Sequence, residues 1–130
     1  MDPKQLSPLT LAFLGDAVYA LMVRDYVVNQ GNMSAGSLHT ASISYVSAKA
    51  QFQASLIIAD KLTESEMSIF KRGRNATGNH IPKNVNPGIY RAATGVEALF
   101  GYLYLLGNYD RLTDLFSCII LKLRQTEEEE

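Results

Sequence analysis

The sequence predicts an all-α fold, and three features of its 130 residues carry that expectation. No segment sustains the period-two alternation of a half-buried strand. Helix-start signatures recur along the chain: Ser7-Pro8, then Thr63-Glu64-Ser65-Glu66, then Asn86-Pro87. Long apolar runs close on Gly31 and Gly107, residues able to end a helix at positive φ without strain.

Taken in order, Ser7 caps and Pro8 opens a first helix whose apolar run covers 9–28 and stops at Asn29-Gln30-Gly31. Small and polar residues over 32–37 form a turn. A short helix over 38–43 and a longer one over about 46–59, rich in Ala, Gln and Leu, follow. The capping box at 63–66 opens a fourth helix that runs to about 74. The stretch 75–88 holds two prolines, two glycines and four asparagines, which makes it a loop of functional length. Asn86-Pro87 restarts a helix that carries Tyr90 through Leu106, and a last helix runs over about 110–124. A 47% apolar content over this length supports one core and not two. The expected organisation is a single domain over 6–124, an N-terminal tail at 1–5 and an acidic tail at 125–130, whose four closing glutamates are too polar to fold.

Cys118 is the only cysteine, which excludes an intramolecular disulfide and a cysteine-based zinc cluster and favours a reducing compartment. The opening MDPKQLSPLT has neither the basic region nor the apolar stretch of a signal peptide, so a cytoplasmic protein with no membrane partner is expected. The apolar segment 92–106 is shorter than a bilayer span and carries Glu97 within it, as a buried helix would. The formal charge of −1 hides a segregation. Between Glu66 and Glu97 there is no acidic residue, while Lys71, Arg72, Arg74, Lys83 and Arg91 fall there together with His80. A one-sign interval suits an anionic partner, although a solvated basic loop would look the same.

Two carboxylates stand alone in apolar helices. Asp16 is the only charged residue between Lys4 and Arg24, and Glu97 the only one between Arg91 and Asp110. An ionised carboxylate in a packed core is costly unless a cation, a metal or hydrogen-bond donors compensate it. At helical spacing Asp16 shares a stripe with Ala12, Phe13, Ala17 and Ala20, and Glu97 shares a face with Ala93 and Gly101. Two such helices can pack with Asp16 opposite Glu97, an oxygen-ligand pair of the kind Mg²⁺ takes when waters and phosphate oxygens complete its shell. Spacing leaves a second reading open, in which each acid pairs with a buried arginine or caps a neighbouring helix.

The segment LAFLGDAVYALMVRDYV (11–27) resembles the signature helix of ribonuclease III domains, whose Leu-Gly-Asp-Ala core carries a metal-binding aspartate. ATGVEALFGYLYLLGN (93–108) resembles the second signature, where Glu-Ala-Leu-x-Gly carries the partner glutamate. SLHTASISYVSAKAQ (37–51), FKRGRNA (70–76), PKN (82–84) and YRAATG (90–95) are similar to the Mini-ribonuclease III branch, which has the catalytic domain without a separate RNA-binding domain. Larger relatives add an acid one turn before each signature acid. This chain has Ala12 and Thr94 there, as the branch does.

The resemblance implies a helical, homodimeric, ribonuclease III-like endonuclease domain that cuts double-stranded RNA with Mg²⁺, for which Mn²⁺ can substitute, and leaves 5′-phosphates. It implies catalytic and metal-binding roles for Asp16 and Glu97 and a ribosomal RNA precursor, that of 23S RNA, as substrate. Duplex RNA is read mainly by shape and backbone, which suits a basic rim without base-reading motifs. Lys71, Arg72, Arg74 and Lys83 are the expected phosphate contacts, Asn75 and Asn84 the expected hydrogen-bonding partners, and Lys49 and Arg91 weaker candidates. His39 and His80 are expected as surface or RNA-contacting groups rather than as general bases. Phe100, Tyr102 and Tyr104 cannot all be core at helical spacing, which leaves at least one for a dimer interface. The rival class is a catalytically silent ribonuclease III-like domain that binds RNA within a ribonucleoprotein. Retention of both signature acids speaks against it. A purely structural helical dimer explains neither the lone acids nor the basic interval.

Overall fold

A computed structural model of the chain describes residues 1–76 and 81–129, with side chains through 126; His80 lies outside the described residues. Among the described residues there are six α-helices and two short 3-10 turns, and no strand. The helices are α1 (Pro8–Val28), α2 (Ala35–Val46), α3 (Ala48–Ile58), α4 (Glu64–Asn75), α5 (Pro87–Leu105) and α6 (Tyr109–Glu129). None is long and apolar enough to cross a membrane.

The caps are largely those the sequence announces. The Ser7 hydroxyl accepts from the Thr10 amide at the start of α1, and the Asn86 side chain accepts from Ile89 at the start of α5. Thr63 and Glu66 close a reciprocal capping box on α4. At the end of α5, Gly107 takes a φ of 71°, which lets the Asn108 amide reach back to the Leu103 carbonyl and the Gly107 amide to Tyr104. Two expectations need correction. The second helix begins at Ala35 and runs to Val46, because Ser34 caps it and Ser47 turns the chain and caps α3 in the same step. The last helix does not stop at Arg124 but continues to Glu129, into the run expected to stay unfolded. Glutamate is a good helix former, and extending a helix already nucleated by packing costs little per residue.

The central element is α5, packed against α1, α4, α3 and α6. Its Val96, Leu99, Phe100 and Leu103 are fully buried among Leu11, Tyr19 and Val23 of α1, Ile58 of α3, Ile69 of α4 and Leu115 and Ile119 of α6. Tyr19 meets Phe100 and Phe116 edge-on at 5.1 and 5.9 Å, a favoured aromatic geometry. Burial pushes its phenol pKa up.

Two polar ties hold the helix ends. Arg111 at the start of α6 donates to both Glu66 oxygens, at 2.8 and 2.9 Å, and to the Lys61 carbonyl at 2.6 Å. Burial alone would raise the Glu66 carboxyl, but the bonds from Arg111 and Thr63 outweigh it and hold the pKa below its ordinary value. Arg72 on α4 donates to the Lys4 and Leu6 carbonyls, both at 3.0 Å, and so fastens the N-terminal 3-10 turn Pro3–Gln5.

The crossing of α1 and α5 brings backbone against backbone. A Cβ added to Gly15 would fall onto the Glu97 carbonyl, and one added to Gly101 would meet the Leu11 carbonyl. Backbone can touch backbone there only because both positions lack side chains. Gly15→Ala therefore forces the helices apart and should cost about 3 kcal/mol or more of unfolding free energy, read from urea denaturation. A variant as stable as wild type would show that the crossing tolerates separation.

Candidate active site and RNA-facing surface

The crossing fixes where the two lone acids lie. Asp16 follows Gly15, and the residue against which Gly15 packs is Glu97 itself. Asp16 is exposed on the outer side of α1, whereas Glu97 is half-buried and within hydrogen-bonding reach of the Asp16 carboxyl. Burial, the hydrogen bond shared with Asp16 and the repulsion of that acid push the Glu97 carboxyl up to about 8; the Gln51 side chain, reaching in from α3, opposes the shift by donating to it.

Ala12 and Thr94, where larger relatives place further acids, are buried, and the Thr94 hydroxyl is spent on the Tyr90 carbonyl of its own helix. No group of three or more His, Cys, Asp or Glu side chains suited to a metal exists among the described residues. The donor set still fits a cation. Two hard oxygen ligands face each other at a position where only a proton or a cation relieves their repulsion, and the rest of a hydrated shell is left to water and substrate oxygens.

The basic residues divide by task. Lys71 and Asn75 are exposed on α4 and line a surface groove with Ser68 and Met67. Arg74 lies 5.9 Å from the Phe70 ring centroid and donates to the Asn75 side chain at 3.3 Å. Lys83 and Asn84 are exposed in the turn before α5, and Asn84 holds a left-handed φ of 69°. Lys49 is exposed near the start of α3, and Arg91 is half-buried in the first turns of α5. Arg72 differs from its expected role as a phosphate ligand, since its guanidinium is committed to the two N-terminal carbonyls. His39 is exposed, as expected.

Phe100 and Tyr102 are core, and of the three aromatics, at least one of which is expected at an interface, only Tyr104 is exposed, tilted against Tyr109 at 5.7 Å. An exposed apolar stripe lies on α1, where Leu9, Phe13, Ala17 and Leu21 follow one another at helical spacing and Phe13 is 84% exposed; Leu56 of α3 and Leu121 of α6 are exposed as well.

The profile of the Ribonuclease III domain matches residues 9–108. The crystal structure of a Fusobacterium nucleatum protein is similar with a TM-score of 0.83 at 30% identity, over 93% of this chain and 97% of that one. Fold and site together define a helical endonuclease domain of the ribonuclease III type. The chain is 50% identical over 110 residues to the Mini-ribonuclease 3 of Thermoanaerobacter sp., covering 85% of this chain and 78% of that protein. It is 43% identical over 129 residues to the Mini-ribonuclease 3 of Enterococcus faecalis, covering 98% of each. The chain belongs to the ribonuclease III family, in its Mini-ribonuclease III branch, and is an endoribonuclease.

The Glu97 shift has a consequence for stability. With a carboxyl at about 8 in the metal-free fold against 4.5 in an open chain, the folded state binds more protons than the unfolded state between those values. The stability contributed by this group is full below about pH 4.5 and is lost as pH rises through about 8. In chelator-treated protein the urea midpoint should fall across that window, and fall less in Glu97→Gln. Equal slopes for the two proteins would mean that Glu97 is not held against Asp16.

Proposed function

We propose that this endonuclease cuts double-stranded RNA with Mg²⁺, or Mn²⁺ in its place, held by Asp16 and Glu97, and that it works as a cytoplasmic homodimer on the precursor of 23S ribosomal RNA. The observation that carries the reading is the pair itself. A fold gains nothing in stability by pressing one carboxyl against another, so the arrangement argues for a ligand and against a catalytically silent RNA-binding domain.

A bound divalent cation would supply activation of a water and stabilisation of the leaving 3′ oxygen, giving a 5′-phosphate product. The chain's own part is to aim two oxygens at one point: Asp16 from the exposed side of α1 and Glu97 from the partly buried side of α5. Lys71, Arg74 and Lys83, with Asn75 and Asn84, would hold the sugar-phosphate backbone, and Lys49 and Arg91 would flank the site. The 23S precursor is carried over from resemblance to the branch.

The α1 stripe supports the dimer. An exposed Phe13 flanked by Leu9, Ala17 and Leu21 forms a self-complementary apolar patch one helical turn from Asp16. A two-fold partner there would set two sites side by side, one for each strand.

Chemistry and binding should separate by mutation. Asp16→Asn removes a ligand's charge without changing its shape, so cleavage should fall at least about a thousandfold, the loss expected of a core catalytic group, while duplex affinity holds. Replacing Lys71, Arg74 and Lys83 by alanine should do the reverse, weakening binding and flattening its salt dependence, since each lost phosphate contact removes a released counterion. Turnover near wild type in Asp16→Asn would sink the assigned site, and an unchanged salt slope in the triple variant would place the RNA grip elsewhere. For the dimer, sedimentation should give about twice the 14.4 kDa chain mass, and Phe13→Asp should give the monomer. A wild-type monomer that cuts both strands refutes this part.

A further inference from the structure

We propose that Gln51 is a positioning residue of the site, its carboxamide fixing the Glu97 carboxylate in the orientation that receives the cation; this rests on the reading of Asp16 and Glu97 as the cation site. Gln51 is 4% exposed and sits in the buried stripe of α3 with Ala54, Ser55 and Ile58. A leucine would fill that place without the cost of burying an amide, which is about 1 to 3 kcal/mol when the amide is unpaired. Three other buried polar side chains have structural partners, while the Tyr19 hydroxyl, deep among apolar residues, has none among the described residues. Ser55 donates to the Phe52 carbonyl and Thr94 to the Tyr90 carbonyl, while Glu66 caps its own helix and binds Arg111. Gln51 instead is buried where α3 packs on α5, with its amide near enough to the Glu97 carboxylate to lower that group's proton affinity.

The chemistry of the donor explains the choice. A lysine or arginine at this place would neutralise Glu97 and compete with a cation for it. A neutral amide donates a hydrogen bond, restricts rotation of the carboxylate and leaves its charge available. The small Ala50 and Ala54 beside it, both buried, let α3 come close enough for the side chain to reach.

The test compares Mn²⁺ binding, followed by electron paramagnetic resonance, in the wild-type protein, Gln51→Met and Asp16→Asn. Methionine keeps the length of the side chain and removes the donor. Gln51→Met should bind Mn²⁺ about tenfold more weakly and need correspondingly more Mg²⁺ for half-maximal cleavage, with an unchanged KM for duplex RNA. Wild-type Mn²⁺ affinity in Gln51→Met, alongside lost binding in Asp16→Asn, overturns the role of Gln51 alone; wild-type affinity in Asp16→Asn overturns the site reading and this proposal with it. Should Gln51→Met fail to fold, the side-chain NH₂ resonances of Gln51 in otherwise native protein decide the matter. They should move on Glu97→Gln and on addition of Mg²⁺, and their failure to move overturns the proposal.

Discussion

The contact on which the rest of the structure depends is the backbone-to-backbone crossing of α1 and α5 at Gly15 and Gly101. Ordinary helix pairs pack 8 to 10 Å apart because side chains hold them there. With a glycine from each helix at the crossing, no Cβ intervenes, and the carbonyls of Leu11 and Glu97 lie where methyl groups would otherwise stand. The consequence is positional: a short aspartate on one helix and a glutamate on the other fall within hydrogen-bonding reach without either side chain leaving its helix face. The glycines that weaken each helix locally are what make a rigid two-helix site possible.

That placement works against stability. Glu97 is partly desolvated and faces a second acid, and both influences push its proton affinity up. In the proposed role, the cation replaces the proton that the metal-free fold keeps near neutral pH, so metal binding and proton release are two views of one equilibrium. Two carboxylates rather than four also make a less anionic cage, which leaves more of a cation's shell to water and to the RNA. In the proposed role, such a site would trade resident affinity for coupling to substrate.

Much of the architecture was legible in the sequence because it rests on local signals. Ser7-Pro8, the Thr63–Glu66 box, Asn86-Pro87 and Gly107 each act within one turn of helix, and each stands where its chemistry predicts. The facing of Asp16 and Glu97 was also legible, because lone acids in apolar helices are conspicuous. What was not legible depends on tertiary neighbours. Serine at 34 and 47 looks like ordinary turn composition until the chain bends around it. Gly15 belongs to the quoted signature, yet only the structure tells that it touches the carbonyl of the other acid's residue. Gln51 leaves a fainter signal, one amide in an apolar and alanine-rich stripe, and nothing in the sequence says which helix it addresses.

Charge is where composition misleads most. Counted along the chain, Arg72 is one more cation in an acid-free interval, equal to Lys71 beside it. In the fold the two residues diverge, because successive positions on a helix point about 100° apart. Arg72 turns toward the N-terminal segment and gives its fork of donors to two carbonyls, while Lys71, on the same groove, stays exposed. The same division recurs at the other end of α4, where Arg111 binds Glu66 and the Lys61 carbonyl. Both arginines do the planar, multidentate work for which a guanidinium is suited, and both do it inside the protein. Under the proposed reading, the surface left to meet an anion would be drawn mainly from lysines, Arg74 and asparagines, point contacts that suit a partner read by its backbone rather than by its bases.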